Sequence, residues 1–179
     1  MIGTESLKSW YKSCGAIALA AVFALNSTSA WAANQTIAAG ETVSGAVGTS
    51  SNLLNIYGTA IGATIESGTS GHDVFDGGTA NNTTINAGLM NVNEGGTAND
   101  TTVNGGHLKV FSGAMAKKTT INDGVLNISG TANDTTVNGG QLYVYGTANN
   151  TTINDGELYV DKGRTANARC RYSFYYYGT

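Results

Sequence analysis

The chain has 179 residues, and its composition is unlike that of an ordinary globular domain because it contains 25 glycines and no proline. Charged residues make up 12% of the sequence, and the net charge is −3. This charge excludes the basic field that binding to nucleic acid or to an anionic membrane surface requires, so nucleic acid is not an expected partner.

The first 32 residues have the pattern of a secretory signal peptide. Lys8 and Lys12 precede a short apolar run, and small residues follow it. We predict cleavage between Ala32 and Ala33, with cleavage after Ala30 as the alternative. The apolar run is shorter than the ~20 residues that span a bilayer, so we expect export by the Sec machinery and no membrane span in the mature chain.

Between residues 33 and 163 one phrase recurs, Thr-Thr-Ile/Val-Asn, at spacings of 18, 18, 16 and 16 residues. A Thr-Ala-Asn sequence precedes each phrase, with Met-Ala-Lys in the third repeat, and a glycine follows soon after. A short, glycine-rich period without proline is typical of a solenoid. The phrases begin at Thr83, Thr101, Thr119, Thr135 and Thr151.

After each glycine, apolar and polar residues alternate, as in Leu126-Asn127-Ile128, which indicates a strand with one buried face. The Thr-Thr-Ile/Val-Asn phrase predicts a second short strand, and glycines supply the positive φ values at the corners. We therefore predict an all-β fold, a right-handed parallel β-helix with repeats of about 16 to 20 residues. The predicted core stack consists of Ile85, Val103, Ile121, Val137, Ile153, Met90, Leu108, Leu126, Leu142 and Leu158.

Other folds fit the repeat less well. Several glycines per repeat, each costing about 1 kcal/mol in a helix, disfavour a helical solenoid. A calcium-binding β-roll needs a nine-residue Gly-Asp repeat, which residues 71–78 match only once. A β-sandwich remains possible, although identical phrases at near-constant spacing are harder to explain there.

The sequence offers little catalytic chemistry. His72 and His107 lie in no metal-ligand spacing and beside no nucleophile signature, so we expect both at the surface. Glu66, Asp73 and Asp76 could cluster as acid/base pairs do in glycan-cleaving β-helices, but aspartates in glycine-rich segments usually form turns. We expect no enzyme activity, no cofactor and no metal, with a β-helical glycan-active enzyme as a distant alternative.

The outward row of the strand after each glycine is the candidate binding face. Tyr143 and Tyr159 lie one repeat apart and should stack at the surface. Aromatic and amide groups on a flat face can contact a carbohydrate or a second β-helix. Cross-strand packing that only stabilises the sheet is the alternative. The predicted face consists of Asn91, Lys109, Asn127, Tyr143 and Tyr159.

The repeat pattern breaks down after Gly163, where an Arg- and Tyr-rich sequence follows. We expect residues 164–179 to be an aberrant tail, disordered or frameshifted, and the last intact coil to expose strand edges that favour self-association. Cys170 has no partner in the predicted mature chain, so no internal disulfide is expected.

Asn/Thr/Gly-rich repeats of this kind, directly behind a signal peptide, resemble the passenger repeats of AIDA-type autotransporter adhesins of Gram-negative bacteria over residues 36–162. The resemblance implies a non-catalytic, surface-exposed β-helical passenger that mediates cell adhesion, self-aggregation, biofilm growth and virulence. Its implied partners are other passengers or a glycan or protein of the host surface.

The resemblance also implies a location. A full-length parent would be exported to the cell surface and outer membrane or be extracellular, whereas a truncated chain could stay in the periplasm. A non-functional truncated passenger fragment is therefore the alternative function. The sequence names no receptor and does not decide between host adhesion and self-aggregation.

Overall fold

The computed structural model describes residues 34–67 and 71–170, together with the backbone of residues 175 and 176. These residues form no helix and stack as a parallel β-solenoid of about seven coils, with a repeat of about 18 residues. The predicted all-β parallel β-helix is confirmed. Ala30, Ala32 and Ala33 of the predicted cleavage site lie outside the described residues. No described segment is a helix with the length and apolarity to cross a bilayer.

The described residues contain 21 short strands, numbered here along the chain. They are β1 (Gln35–Ile37), β2 (Thr42–Ser44), β3 (Val47–Gly48), β4 (Leu54–Ile56), β5 (Thr59–Ile61), β6 (Thr64–Ile65), β7 (Gly71–Val74), β8 (Thr79–Asn81), β9 (Thr84–Ile85), β10 (Leu89–Val92), β11 (Thr97–Asn99), β12 (Thr102–Val103), β13 (His107–Val110), β14 (Met115–Ile121), β15 (Val125–Ile128), β16 (Thr131–Val137), β17 (Gln141–Val144), β18 (Thr147–Ile153), β19 (Glu157–Val160), β20 (Thr165–Cys170) and β21 (Tyr175–Tyr176).

The strands form two parallel sheets. Sheet A has nine strands in the order β1-β4-β7-β10-β13-β15-β17-β19-β21, each paired in parallel with its neighbours in this order. Sheet B contains the other twelve strands. Each residue pairs with its equivalent one coil away, as in Leu126 with Leu142 and Asn127 with Tyr143. In this register, equivalent residues of successive coils stack in columns. Near-identical repeats require such a register, because every repeat has to bury the same face.

The interior is filled by these columns. Sheet A sends two apolar residues inward from each regular coil, and sheet B sends the alanine of Thr-Ala-Asn and the Ile or Val of the repeated phrase. All ten residues of the predicted core stack are buried. Because side chains alternate across a strand, the residues between them project outward.

Each coil has a third straight segment that the sequence analysis did not predict. Thr-Ala-Asn is itself a strand of sheet B, and in coils with seven-residue strands it runs without interruption into the following phrase. The bend between the two segments lies at one residue in the left-handed region, with φ between 51° and 57°. These residues are Asn82, Asp100, Lys118, Asp134 and Asn150.

The first threonine of the repeated phrase also faces inward, directly after this bend. Thr83, Thr101, Thr119, Thr135 and Thr151 are each 1% exposed, and their hydroxyls make no hydrogen bond with described residues. From the sequence, only the Ile or Val of the phrase was predicted to face inward. The left-handed residue explains why this threonine also faces inward. It interrupts the regular alternation of inward and outward side chains directly before the phrase.

Spacings of 18 and 16 residues differ at a single corner, the one from sheet A to Thr-Ala-Asn. This corner contains four residues in the coils with an 18-residue spacing and two in the shorter coils, as at residues 129–130 and 145–146. The strands on either side keep their register across this change. The short corners therefore project less far from the solenoid axis than the longer corners of neighbouring coils.

The chain keeps pairing beyond Gly163. Strand β20 pairs with β18, with a register shift between Ala148 and Thr151, and the backbone of β21 pairs with β19. The disorder expected from residue 164 onward therefore does not apply to Thr165–Cys170. Cys170 takes the place that Ile153 occupies one coil earlier, and partial burial raises the pKa of its thiol.

Candidate functional site

The outward face of sheet A carries three columns of side chains. The central column contains the five residues of the predicted binding face, all of them half-buried. The structure brings these residues into one continuous row because their strands pair in register from β10 to β19. The row lies between an outer column that includes His107 and Gln141 and a corner column that includes Phe111 and Tyr145.

Three tyrosines dominate one end of this face. The rings of Tyr143 and Tyr159 stack with centroids 4.6 Å apart and planes 7° from parallel. Tyr145 lies beside Tyr143, 6.4 Å between centroids and 3° from parallel. The 4.6 Å separation matches the rise between coils, so the ring faces point along the solenoid axis. Tyr143 and Tyr159 therefore use their facing surfaces on each other, as in cross-strand packing.

The hydroxyls of the stacked tyrosines join a polar network on the same surface. The Tyr143 hydroxyl donates to Gln141 Oε1 at 3.1 Å, and the Tyr159 hydroxyl donates to Glu157 Oε2 at 2.6 Å. The Gln141 amide also donates to Glu157 Oε2, at 2.8 Å. The two hydrogen bonds to Glu157 lower the pKa of its carboxyl group because they stabilise the charged form. The bond from Tyr159 has the larger effect and the bond from Gln141 the smaller.

Two of the carboxylates considered for catalysis, Glu66 and Asp73, lie at different places on the coil. Asp73 lies on the outward face of sheet A and accepts hydrogen bonds from the amides of Asn91 and Asn93. Glu66 lies at a different corner of the coil, where it accepts a hydrogen bond from Asn86. The described residues contain no cluster of three or more potential metal ligands.

Glu66 ends a ladder of asparagine amides. Each amide donates to the equivalent oxygen one coil earlier, at 2.8 to 3.0 Å, so all the side-chain dipoles point the same way. The donor end of the ladder meets the Glu66 carboxylate at 3.2 Å. The ladder consists of Asn86, Asn104, Asn122, Asn138 and Asn154.

The expected surface position of His72 is wrong. Its side chain is 1% exposed and takes the inward position that Met90 occupies in the next coil. The Nδ1 atom accepts a hydrogen bond from the Leu54 backbone N–H at 3.0 Å. Gly48 stands at the position that Ile65 occupies in the next coil. A Cβ atom at Gly48 would lie 2.5 Å from the imidazole of His72. The ring therefore occupies space that only a glycine leaves open.

Burial lowers the pKa of His72, an effect that the Ser67 backbone and the Asp73 charge partly oppose. The inward position of the histidine was hidden in the sequence because five residues separate Ile65 from Gly71, whereas three separate Ile85 from Leu89 in the next coil. His107, in contrast, is exposed on sheet A.

A polar recess of about 300 Å³ opens at the corner between sheet A and Thr-Ala-Asn, and its lining residue Gly146 directly follows Tyr145 in the chain. Its floor includes the two short corners, and its ends are formed by the longer corners before and after them. Serines, threonines, glycines and one arginine line it, among them Ser112, Ser129, Thr131, Thr147 and Arg164. The recess was not predicted from the sequence, although the change of spacing from 18 to 16 residues marks its position.

The chain is similar to a solved structure, that of a hyper-glycosylated fragment of TibA. The TibC-catalyzed hyper-glycosylated TibA55-350 fragment, a crystal structure, shares 28% sequence identity with this chain; the match covers 75% of this chain and 67% of that chain, with a TM-score of 0.45. No protein-family model matches the sequence. No curated protein matches it either.

Proposed function

We propose that this chain is an adhesive passenger of the autotransporter type, exported to the cell surface and non-catalytic, which promotes cell adhesion and self-aggregation through the outward face of sheet A. The observation that carries the proposal is the continuous in-register row from Asn91 to Tyr159. A row of this kind repeats the same contact every ~4.8 Å along the rod. Many weak contacts then act together, which raises avidity without any single strong site.

The chemistry of the face supports this role. Amide and phenol groups can exchange hydrogen bonds with an equivalent face or with glycan hydroxyls, and tyrosine contributes contact area at little entropic cost. The net charge of −3 gives little repulsion between copies. The carboxylates on and near the face are held by amides or phenols, as at Asp73 and Glu157, which favours a structural over a catalytic role.

Aggregation of coated beads and light scattering of the purified full chain test the proposal. We expect beads to clump, and scattering to rise with protein concentration. Asn127→Arg should lower association roughly tenfold or more, because any contact through this face would then have to desolvate a further charge, beside that of Lys109. Attachment of the same beads to cultured epithelial cells separates host adhesion from self-aggregation.

Thr136→Arg is the matched control, since it adds the same charge in the same coil but projects from sheet B. Equal loss in both variants would show that net charge, and not the sheet A face, controls association. If the wild-type chain neither self-associates nor attaches to cells, the proposal fails and the inert-fragment alternative stands.

A further inference from the structure

The recess is a consequence of two consecutive short corners between two long ones. Residues 129–130 and 145–146 turn in two residues, whereas residues 111–114 and 161–164 use four. The longer turns stand above the shorter ones and close the recess along the solenoid axis. Its volume of about 300 Å³ is at the lower end of the range for small-ligand sites.

The corner column beside the recess has a missing ring. Phe111, Ser129 and Tyr145 occupy equivalent positions in three successive coils, as the hydrogen bonds from the Ser129 and Tyr145 amides to the preceding coils show. Where two successive coils carry rings in this column, at Tyr57 and Phe75, the rings stack at 4.4 Å. Phe111 and Tyr145 are therefore about 9 to 10 Å apart along the axis, two coil rises.

That separation leaves space for one additional ring above Ser129. Tyr145 is 46% exposed and Phe111 43% exposed. Because the Tyr145 ring is parallel to the axially stacked rings of Tyr143 and Tyr159, one of its faces is directed toward the empty position. Pyranose rings pack their C–H groups against aromatic faces of this kind.

The remaining lining selects the class of ligand. Serine and threonine hydroxyls and the glycine backbone can exchange hydrogen bonds with sugar hydroxyls. Arg164 lines the same recess and forms no ion pair with any described residue. A guanidinium with free donors binds a carboxylate in a bidentate, charge-assisted geometry.

We propose that this recess binds a carboxylated saccharide, with the carboxylate on Arg164 and one pyranose ring at the edge of the recess, above Ser129 and between Phe111 and Tyr145, which flank the recess but do not line it. The site is separate from the central row on sheet A, and its occupancy does not depend on adhesion or self-aggregation. It can therefore be measured in solution on dilute protein.

Calorimetric or NMR titration of the full chain tests the site with three probes. These are a tetrasaccharide of alternating glucuronate and N-acetylglucosamine, sialyllactose, and the neutral tetramer of N-acetylglucosamine. We expect one or both acidic probes to bind at least roughly tenfold more tightly than the neutral tetramer, and this preference to shrink as salt rises. Which acidic probe binds distinguishes uronate from sialate as the source of the carboxylate.

Three variants locate the binding. Arg164→Gln should remove the preference for acidic probes, whereas Arg169→Gln, the same change on an exposed arginine outside the recess lining, should keep it. Ser129→Tyr should complete the aromatic column and block all binding. Thermal unfolding of that variant provides a check on folding, because the added ring should stack on its neighbours and leave the transition at or above the wild-type temperature.

The proposal is overturned if neither acidic probe binds, or if the neutral tetramer binds equally well. It is also overturned if Ser129→Tyr folds and still binds with wild-type affinity, or if Arg169→Gln has the same effect as Arg164→Gln. None of these outcomes alters the adhesion proposal, which is measured through Asn127 on the adjacent face.

Discussion

At the scale of single residues, His72 stands out because a titratable ring fills a position that other coils give to Met or Leu. The fold favours the neutral form, since protonation of Nδ1 would replace the bond from the Leu54 N–H with two opposed donors. Burial lowers its pKa from the ordinary value of 6.5. The unfolded chain therefore binds more protons than the folded chain at mildly acidic pH.

The resulting pH dependence has a definite sign. The stability associated with neutral His72 is fully present above pH 6.5 and decreases as the pH falls below that value. We expect the denaturant midpoint to fall between pH 7 and pH 5, and amide exchange in β1, β4 and β7 to accelerate more than in β13 to β17. His107→Gln, which changes the exposed histidine, should keep this pH dependence.

His72→Leu should weaken or abolish the pH dependence of stability, although it should also create a packing defect near Gly48. If that variant does not fold, ring resonances of the wild-type protein still decide the matter, because His72 must titrate at lower pH than an ordinary histidine. A wild-type midpoint that stays constant over this pH range would contradict the argument.

At the scale of the element, the left-handed bend within sheet B determines how each coil turns. Non-glycine residues other than Asn and Asp rarely adopt positive φ, and four of the five bend residues are of these two types. Lys118 is the exception, and it lies 3.7 Å from the carboxylate of Asp100 in the preceding coil. Both groups are exposed, so the ion pair itself adds little stability.

Asn149 and Asn150 form a matched pair for testing this bend. Both are exposed, and each donates a side-chain hydrogen bond to the preceding coil, to Asn133 and Asp134 respectively. Only Asn150 has positive φ, at 51°. Asn150→Ala should therefore lower the free energy of unfolding by about 1–2 kcal/mol more than Asn149→Ala, since alanine has no local bond to offset the left-handed conformation.

Chemical denaturation of the two variants gives this difference directly. Asn150→Gly should restore part of the loss, because glycine adopts positive φ without steric cost. Equal destabilisation by the two alanine substitutions would mean that the ladder hydrogen bonds, and not the backbone bend, set the residue type at this position.

At the scale of the whole molecule, the sequence was sufficient to predict the solenoid and its inward columns, because identical phrases at near-constant spacing admit one register. Leu126 lies inside and Asn127 outside, as the period-two alternation requires. What it did not reveal are features that depend on stacking between coils. The inward Thr83, the ring of His72 over Gly48 and the recess at Ser129 each require knowing which residues of different coils are neighbours.

The same modularity leads to a prediction about the whole rod. Residues 131–146 make one complete 16-residue coil, ending immediately before the next Thr-Ala-Asn strand. A second copy inserted after Gly146 should continue both sheets in register, because each coil contacts only its neighbours. With about seven coils present, the denaturant m-value should rise by about one-seventh, and the particle should lengthen by about 4.8 Å in small-angle scattering.

A 15-residue insertion that omits Gln141 from the copy is the control. Removing one residue from a strand of period two exchanges its inward and outward sets, so that Tyr143 would turn toward the core and Leu142 toward solvent in the copied coil. We expect that variant to lose stability, whereas the 16-residue insertion should keep the wild-type denaturant midpoint or raise it. A midpoint lowered equally by both insertions would show that the coils are not interchangeable units, and that the difference between long and short corners is coupled to the packing of the entire rod.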